Sequence, residues 1–219
     1  MLFRSEMPES QIEGFLRDEC ERPFDLENEN LFRVRLIRIG FNRHILHINM
    51  HHIISDGWSM EILEKEVAVM YEAFVKNMPN PLLPIIYQYK DFSAWHNKVI
   101  SESDKKNELK EFWLQQLSGD LPTLELPLDF KRPVIQTHRG KICRFEFSKQ
   151  HSQLLITFGK NNACGYFTVL QALLNVLIYK ITSQKDIIIG APVSGRNHSE
   201  FHQTVGFFVN TIALRNKIN

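Results

Sequence analysis

Residues 31–52 read LFRVRLIRIGFNRHILHINMHH, with apolar and polar side chains alternating on either side of Gly40–Arg43. Successive side chains of a strand point to opposite faces, so this stretch predicts a β-hairpin of residues 31–39 and 44–52. The more apolar face of the second strand consists of Leu46, Ile48, Met50 and His52. The more polar face consists of Ile45, His47, Asn49 and His51. If the strand continues regularly to its end, His52 projects from the buried side, where burial favours the neutral imidazole that a general base needs.

Helical and strand periodicities continue on both sides of the hairpin. The predicted helices lie at residues 10–20, from about Ser59 to the proline-rich segment at Met78, and at 89–100, 104–118 (capped by Asp104), 148–159 and 168–182. The other predicted strands lie at residues 141–147, 186–192 and 205–215. A proline-containing linker is predicted at residues 121–137, between halves at 1–120 and 138–219. This order of elements indicates an α/β fold, as an α+β two-layer sandwich.

Composition excludes several classes of function. The chain has 219 residues, with 26 Lys and Arg against 25 Asp and Glu, so it lacks the basic footprint of a nucleic-acid binder. Its most apolar stretch, residues 169–178, is shorter than the roughly 20 residues that cross a bilayer. Three widely spaced cysteines, Cys20, Cys143 and Cys164, indicate neither a disulfide framework nor a zinc site. These features predict a cytoplasmic protein without nucleic-acid or membrane partners.

The segment HHIISDGWS, residues 51–59, carries the chemistry. Two histidines end an apolar strand, and Asp56 and Gly57 follow after three residues, so an imidazole and a flexible turn lie together at one sheet edge. Purely structural alternatives remain, because strand-end histidines are usually structural and Asp-Gly is a common turn. His51, His52 and Asp56 could also bind a metal, but no further ligand triplet supports a site that needs three or four ligands.

HHIISDGWS resembles the HHxxxDG motif of condensation domains from nonribosomal peptide synthetases, a branch of the chloramphenicol acetyltransferase-like acyltransferases. The resemblance extends in order through five further segments: RPFDLENENLFRVRLIRI, YKDFSAW, LPLDFKRP, DIIIGAPVSGRNHSEF and VGFFVNTIALR. It implies parts of two pseudo-symmetric lobes with a tunnel between them, the first lobe at 1–120 and the second beginning at 138.

The resemblance also implies a reaction and its partners. An acyl or peptidyl thioester and an aminoacyl thioester arrive on the 4′-phosphopantetheine arms of two carrier proteins, and the amine attacks the thioester to form an amide. Adenylation domains of the same synthetase are the other implied partners. No metal, no directly bound cofactor and no covalent enzyme intermediate are expected, so holding two tethered reactants in line supplies much of the rate.

Residue roles follow from the same resemblance. His52 acts as a base or as a hydrogen-bond acceptor that orients the amine, whereas His51 belongs to the motif but packs away from substrate. Asp56 is structural, through an ion pair to an arginine of the other lobe: Arg139 first, with Arg196 in reserve. The Gly57 N–H faces the oxyanion. The residues assigned to the substrate tunnel are Asn210, Trp58 and Ser59, although sheet structure accounts equally for Asn210 and aromatic packing for Trp58.

Three alternatives stay open at this point. An epimerization domain shares HHxxxDG but moves a proton at the α-carbon, and it needs a second acid or base opposite His52. A truncated, non-catalytic carrier-docking fragment is another, because the chain lacks the family's opening motif and stops soon after VGFFVNT. A free-standing acyltransferase that uses CoA is the third. The incomplete match also predicts that the isolated fragment is inactive or poorly folded, since unpaired strand edges favour aggregation.

Overall fold

The structure is a computed structural model that describes residues 2–102, 105–135 and 140–218. Contacts between Cα atoms divide the chain into two compact units. Unit 1 comprises Met1–Lys106 and Pro192–Thr211, and unit 2 comprises Asn107–Ala191 and Ile212–Asn219. These units do not follow the predicted boundaries at 1–120, 121–137 and 138–219, so the two lobes stay a prediction.

Helices and strands alternate irregularly along the chain. Unit 1 contains β1 (Leu2–Glu6), α1 (Glu9–Glu21), β2 (Phe32–Gly40), β3 (Arg43–Met50), α2 (Gly57–Val75), α3 (Tyr89–Glu102) and the short 3₁₀ helices His52–Ile54 and Ser199–Phe201. Most residues of the remaining elements belong to unit 2: α4 (Lys105–Gln116), α5 (Lys149–Asn161), α6 (Tyr166–Thr182), β4 (Asp186–Val193) and β5 (Asn210–Lys217).

The sheet of unit 1 has the order β1-β2-β3. The predicted hairpin is confirmed: β2 and β3 pair in antiparallel register, with Leu36 opposite Leu46, and the register shifts between Arg38 and Gly40 at the turn. β1 was not predicted, and it pairs parallel to β2. Its five residues, LFRSE, are too short to carry a clear alternating pattern.

The predicted assignment of the two faces of β3 was wrong. Leu46, on the face expected to be buried, is 43% exposed, whereas Ile37 of β2, opposite Ile45 on the other face, is fully buried. α1 packs against β3, and Asn49 on this more polar face donates from Nδ2 to the carbonyl oxygen of Glu19 at 2.7 Å. A covering helix whose backbone accepts this hydrogen bond allows Asn49 to lie on the inner face.

An aromatic cluster holds residues 199–208 against α3. Phe92 lies 4.5 Å from Phe208 and 5.2 Å from Phe201, measured between ring centroids. All three are buried, and Tyr89 packs against them. This cluster brings a late segment of the chain beside the start of α2.

Unit 2 differs from the prediction at residues 141–147. The predicted strand is absent: residues 140–148 have no regular structure, and Ile142 and Phe145 are at least 80% exposed. Alternation alone does not make a strand when no described neighbour pairs with it. β5 begins at Asn210 rather than at 205, and α4 ends at Gln116. Asp104, its predicted cap, lies outside the described residues.

Side chains fasten the beginning of the predicted linker. Gln184 donates from Nε2 to the carbonyl oxygen of Thr123 at 2.8 Å and accepts the N–H of Glu125 at 2.9 Å.

No single helix in the described part of the chain is long and apolar enough to cross a membrane. α5 and α6 meet the length and composition requirement only as a pair, and they are bent by 106°.

Candidate active site

The strand that carries the motif ends before the histidines. β3 stops at Met50, and His51 becomes the cap of the 3₁₀ helix, because its Nδ1 accepts the N–H of Ile53 at 3.1 Å. The His51 ring also packs edge-on against Phe24, with 5.9 Å between centroids. The structure thus gives His51 a local structural task.

The ring of His52 is exposed, so the prediction that it projects from a buried face was wrong. The face count assumed a regular strand through residue 52, whereas the 3₁₀ turn re-aims the side chain. The imidazole packs edge-on against Phe207, with 5.1 Å between ring centroids and 83° between planes. One flank of the ring is therefore supported, and the side chain stays accessible.

Asp56 is the N-cap of α2 and is only 5% exposed. Its Oδ1 accepts the N–H of Ser59 at 2.8 Å and the Ser59 hydroxyl at 2.7 Å, and its Oδ2 accepts the N–H of Phe208 at 3.1 Å. Burial raises the pKa of the Asp56 carboxyl, but the hydrogen bonds it accepts, those from Ser59 foremost, outweigh burial and lower the pKa below its ordinary value. The group is held as a carboxylate by several donors together.

Arg196 is the ion-pair partner of Asp56. Its Nη2 lies 3.1 Å from Oδ1 and 3.4 Å from Oδ2 of Asp56, and its Nη1 donates to the carbonyl oxygens of Phe201 and Thr204, both at 2.7 Å. Arg139, the first choice from the sequence, lies outside the described residues. Arg196 belongs to the same compact unit as Asp56, and it lies in the segment that the resemblance assigns to the second lobe, 138–219.

Gly195 allows the chain to place Arg196. Its φ is +66°, in the left-handed region, and a Cβ there would lie 2.1 Å from the carbonyl oxygen of Phe208. Glycine adopts this conformation without steric cost, and only a residue without a side chain allows so close an approach of two backbones. The guanidinium then lies 3.8 Å from the centre of the Phe208 ring.

The remaining predicted site residues differ in their exposure. Ser59 is fully buried, so its assignment to a substrate tunnel was wrong. Gly57, exposed, is the first residue of α2, where a backbone N–H has no carbonyl one turn earlier. Trp58 is 41% exposed and donates from Nε1 to the carbonyl oxygen of His202 at 3.0 Å. Asn210 is exposed, and its Oδ1 accepts the N–H of Thr211.

Sequence reasoning missed residues 206–208 as part of the site. Phe207 contacts His52, and the N–H groups of Gly206 and Phe208 bind Ser59 and Asp56. The sequence signal for them was the segment VGFFVNTIALR, which carries part of the family resemblance but assigns no role to residues 206–208. In the ranges 2–102, 105–135 and 140–218, no three His, Cys, Asp or Glu side chains are grouped so that they could hold a metal ion.

Comparison with known proteins places these residues in a family context. The family model described as Condensation domain matches residues 2–219. Tyrocidine synthase 3 from Brevibacillus parabrevis is 41% identical over 217 residues, which are 99% of this chain and 3% of that protein. Gramicidin S synthase 2 from Aneurinibacillus migulanus is 38% identical over 212 residues, which are 97% of this chain and 5% of that protein. The chain thus spans a small part of the relatives it matches.

Solved structures share the fold at lower identity. The X-domain from teicoplanin biosynthesis superposes with a TM-score of 0.89 and 21% identity, covering 99% of this chain and 49% of that one. The first condensation domain of the CDA synthetase superposes with a TM-score of 0.75 and 18% identity, covering 100% of this chain and 49% of that one. The epimerization domain from the third module of tyrocidine synthetase B superposes with a TM-score of 0.80 and 20% identity, covering 98% of this chain and 50% of that one. The predicted chloramphenicol acetyltransferase-like α/β fold is confirmed, and the chain spans about half of these domains.

Proposed function

Since this chain belongs to the condensation domain family, we propose that it takes part in forming a peptide bond between two carrier-bound thioesters in nonribosomal peptide synthesis. The donor is an upstream acyl or peptidyl thioester, and the acceptor is a downstream aminoacyl thioester. Both are held on 4′-phosphopantetheine arms, so the partners are carrier proteins and the adenylation domains that load them.

The reaction replaces the C–S bond of the donor thioester with a C–N bond and moves one proton. The acceptor amine nitrogen attacks the thioester carbonyl carbon, the C–N bond forms, the C–S bond breaks, and the departing thiolate takes up the proton that the amine loses. In our proposal His52 accepts a hydrogen bond from the attacking amine, and the Gly57 N–H at the start of α2 faces the developing oxyanion. Trp58 and Asn210, both exposed, are the proposed substrate contacts.

The observation that carries this proposal is the complete HHxxxDG motif at residues 51–57, which buried contacts hold in place. It lies in a chain whose residues 2–219 match the condensation domain model. Asp56 and Arg196 fasten the junction between the 3₁₀ helix and α2, and the ring of His52 rests against Phe207. Because His52 is exposed rather than buried, we attribute its effect to positioning tethered reactants rather than to desolvation.

The test uses the natural polypeptide that carries these 219 residues, supplied with loaded donor and acceptor carriers. We expect wild type to form a carrier-bound dipeptidyl thioester, detected by mass spectrometry. His52→Ala should slow its formation about 100-fold, the loss expected when a reacting group is misplaced by about 1 Å. His44→Ala, at an exposed histidine of the same hairpin, is the matched control and should leave the rate unchanged.

Other outcomes identify the alternatives. Deuterium uptake at the α-carbon of one carrier-bound residue, without amide formation, would indicate epimerization. Amide formation from a CoA thioester without carriers would indicate a free-standing acyltransferase. Carrier binding with neither reaction would indicate a docking role.

We further propose that the 219-residue chain alone is inactive, and the same assay tests it. Large apolar side chains such as Phe74, Leu83 and Phe130 are more than 80% exposed, and such surfaces favour association. A monomeric chain that forms amide by itself would contradict this.

A further inference from the structure

The hydroxyl of Ser59 has four polar neighbours in a fully buried position. Its Oγ lies 2.7 Å from Asp56 Oδ1, 2.8 Å from the Gly206 carbonyl oxygen, 3.0 Å from the Gly206 nitrogen and 3.0 Å from Arg196 Nη2. A serine hydroxyl has one proton to donate and two lone pairs. The Gly206 N–H and the guanidinium fill both lone pairs, and the single proton is donated to Asp56 Oδ1, the nearer of the two acceptors. The hydrogen-bonding capacity of Ser59 is fully used.

Both backbone groups of Gly206 therefore meet one side chain from the first turn of α2. This fixes the register of a segment that lies 147 residues away in sequence. A Cβ on Gly206 would lie 2.2 Å from the Tyr89 ring, and the Tyr89 hydroxyl donates to the carbonyl oxygen of Phe207 at 2.8 Å. Phe207 is thus held by its backbone on both sides, although its side chain is 38% exposed.

The Phe207 ring is what supports the imidazole of His52 in the described structure. His52 begins a three-residue 3₁₀ helix and is exposed, so its own element restrains the ring little. From this chain of contacts we propose that Ser59 is a positioning residue for His52: it fastens residues 206–208, and through Phe207 it sets the orientation of the imidazole. The effect on the reaction rests on the function proposed above.

The consequence for catalysis follows from geometry. Ser59→Ala leaves the Gly206 N–H without its acceptor in a buried place and releases the segment that carries Phe207. Displacing a catalytic group by about 1 Å costs about 100-fold in rate. We expect Ser59→Ala to lower kcat for amide formation by about 10- to 100-fold, with KM for the loaded carriers little changed, because no carrier contacts a fully buried hydroxyl.

The experiment compares Ser59→Ala with Phe207→Leu, the double variant and the matched control Ser101→Ala, all in the natural polypeptide. Ser101 is exposed on α3, and its hydroxyl donates to the Lys98 carbonyl oxygen, so its loss should change nothing. If Ser59 acts through Phe207, the double variant loses no more kcat than the worse single variant. Additive losses, an unchanged kcat, or a loss fully accounted for by a lower folded fraction in thermal melts would overturn the proposal.

A second measurement does not depend on activity. Diethyl pyrocarbonate modifies accessible imidazoles, and mass spectrometry reports the rate at each histidine. Ser59→Ala should speed modification of His52 several-fold and leave His44 unchanged; equal rates at His52 in wild type and variant would refute the positioning role. If wild type forms no amide, the proposed function fails on that result alone, while the modification rates still decide the role of Ser59.

Discussion

Each unit contains an Asp–Arg ion pair that joins segments distant in sequence, and the two pairs differ in how deeply they are buried. In unit 1 the Asp56–Arg196 pair is buried, with 4% and 0% of the two side chains exposed, and its shortest distance is 3.1 Å. In unit 2 the Asp186–Arg215 pair is more open, with 29% and 8% exposed, and its shortest distance is 2.6 Å. The shorter contact belongs to the more exposed pair.

The difference shows that distance does not rank these pairs. Burial is the largest influence on the pKa of Asp56 and raises it, so a set of donors is required to bring that pKa below its ordinary value. At Asp186 the hydrogen bond from Arg215 is the largest influence and lowers the pKa. Losing a partner from the buried pair leaves a charge that water cannot reach, whereas water replaces a lost partner in the open pair.

The largest expected effect follows from removing the buried cation. Arg196→Leu leaves the Asp56 carboxylate unpaired, and such changes cost about 3–5 kcal/mol, or about two to four powers of ten in amide protection. Hydrogen exchange in the natural polypeptide, followed at the N–H groups of Gly206 and Phe208, measures the loss. Adding Asp56→Asn should recover part of the protection, since it removes the stranded charge.

The control for this prediction is the same replacement in the other pair. Arg215→Leu should reduce protection in residues 116–125 by less, although Arg215 also donates to the carbonyl oxygens of Gln116, Ser118 and Asp120. Equal losses at the two sites would show that burial does not distinguish them.

The next loss, whose range begins lower than that of Arg196→Leu, is expected from Gly195→Ala, which tests how the buried pair is placed. The left-handed φ costs about 1–2 kcal/mol for a residue with a Cβ, and the close approach to Phe208 adds about 1–3 kcal/mol. The same exchange measurement at Phe208 checks it. Gly14→Ala, at a helical position with open space around it, is the control and should instead stabilise α1 by about 0.5–1 kcal/mol. No loss at Gly195 would mean that the loop shifts freely.

The local periodicity of apolar residues predicted most of the helices and strands, because their formation depends mainly on residues that are close in sequence. The hairpin, α2, α6 and β4 lie where the pattern places them. The errors arose where a distant segment decides the outcome. α1 covers the polar face of β3, and residues 141–147 alternate without a described partner strand.

The site divides in the same way. The motif supplied the candidate site residues, and the resemblance it carries offered Arg196 as the second of two partners for Asp56. It did not predict the exposure of His52, because the side chain of His51 caps a turn that no strand pattern shows. Nor did it predict the burial of Ser59, whose surroundings come from residues 196 and 206, more than 130 residues away.

The smallest expected effect is that of Asp186→Asn, and its pH dependence sharpens the comparison. The pKa of Asp186 is lowered from 3.8, so its ionised form contributes stability that is present above about pH 3.8 and lost as the pH falls through the lowered pKa. At neutral pH the variant should show slightly less protection than wild type in residues 116–125. The difference should vanish in acid, where the wild-type carboxyl is protonated too.

Salt distinguishes this open pair from the buried one. At 1 M salt the screening length is about 3 Å, which weakens attraction between groups that water reaches. The effect of Asp186→Asn should therefore shrink in high salt, while that of Arg196→Leu stays nearly constant, because ions cannot enter the space around Asp56. If salt weakened both effects alike, water and ions would have to reach the Asp56 carboxylate. The ion pair with Arg196, rather than the hydrogen bonds from Ser59 and Phe208, would then hold this carboxylate in place.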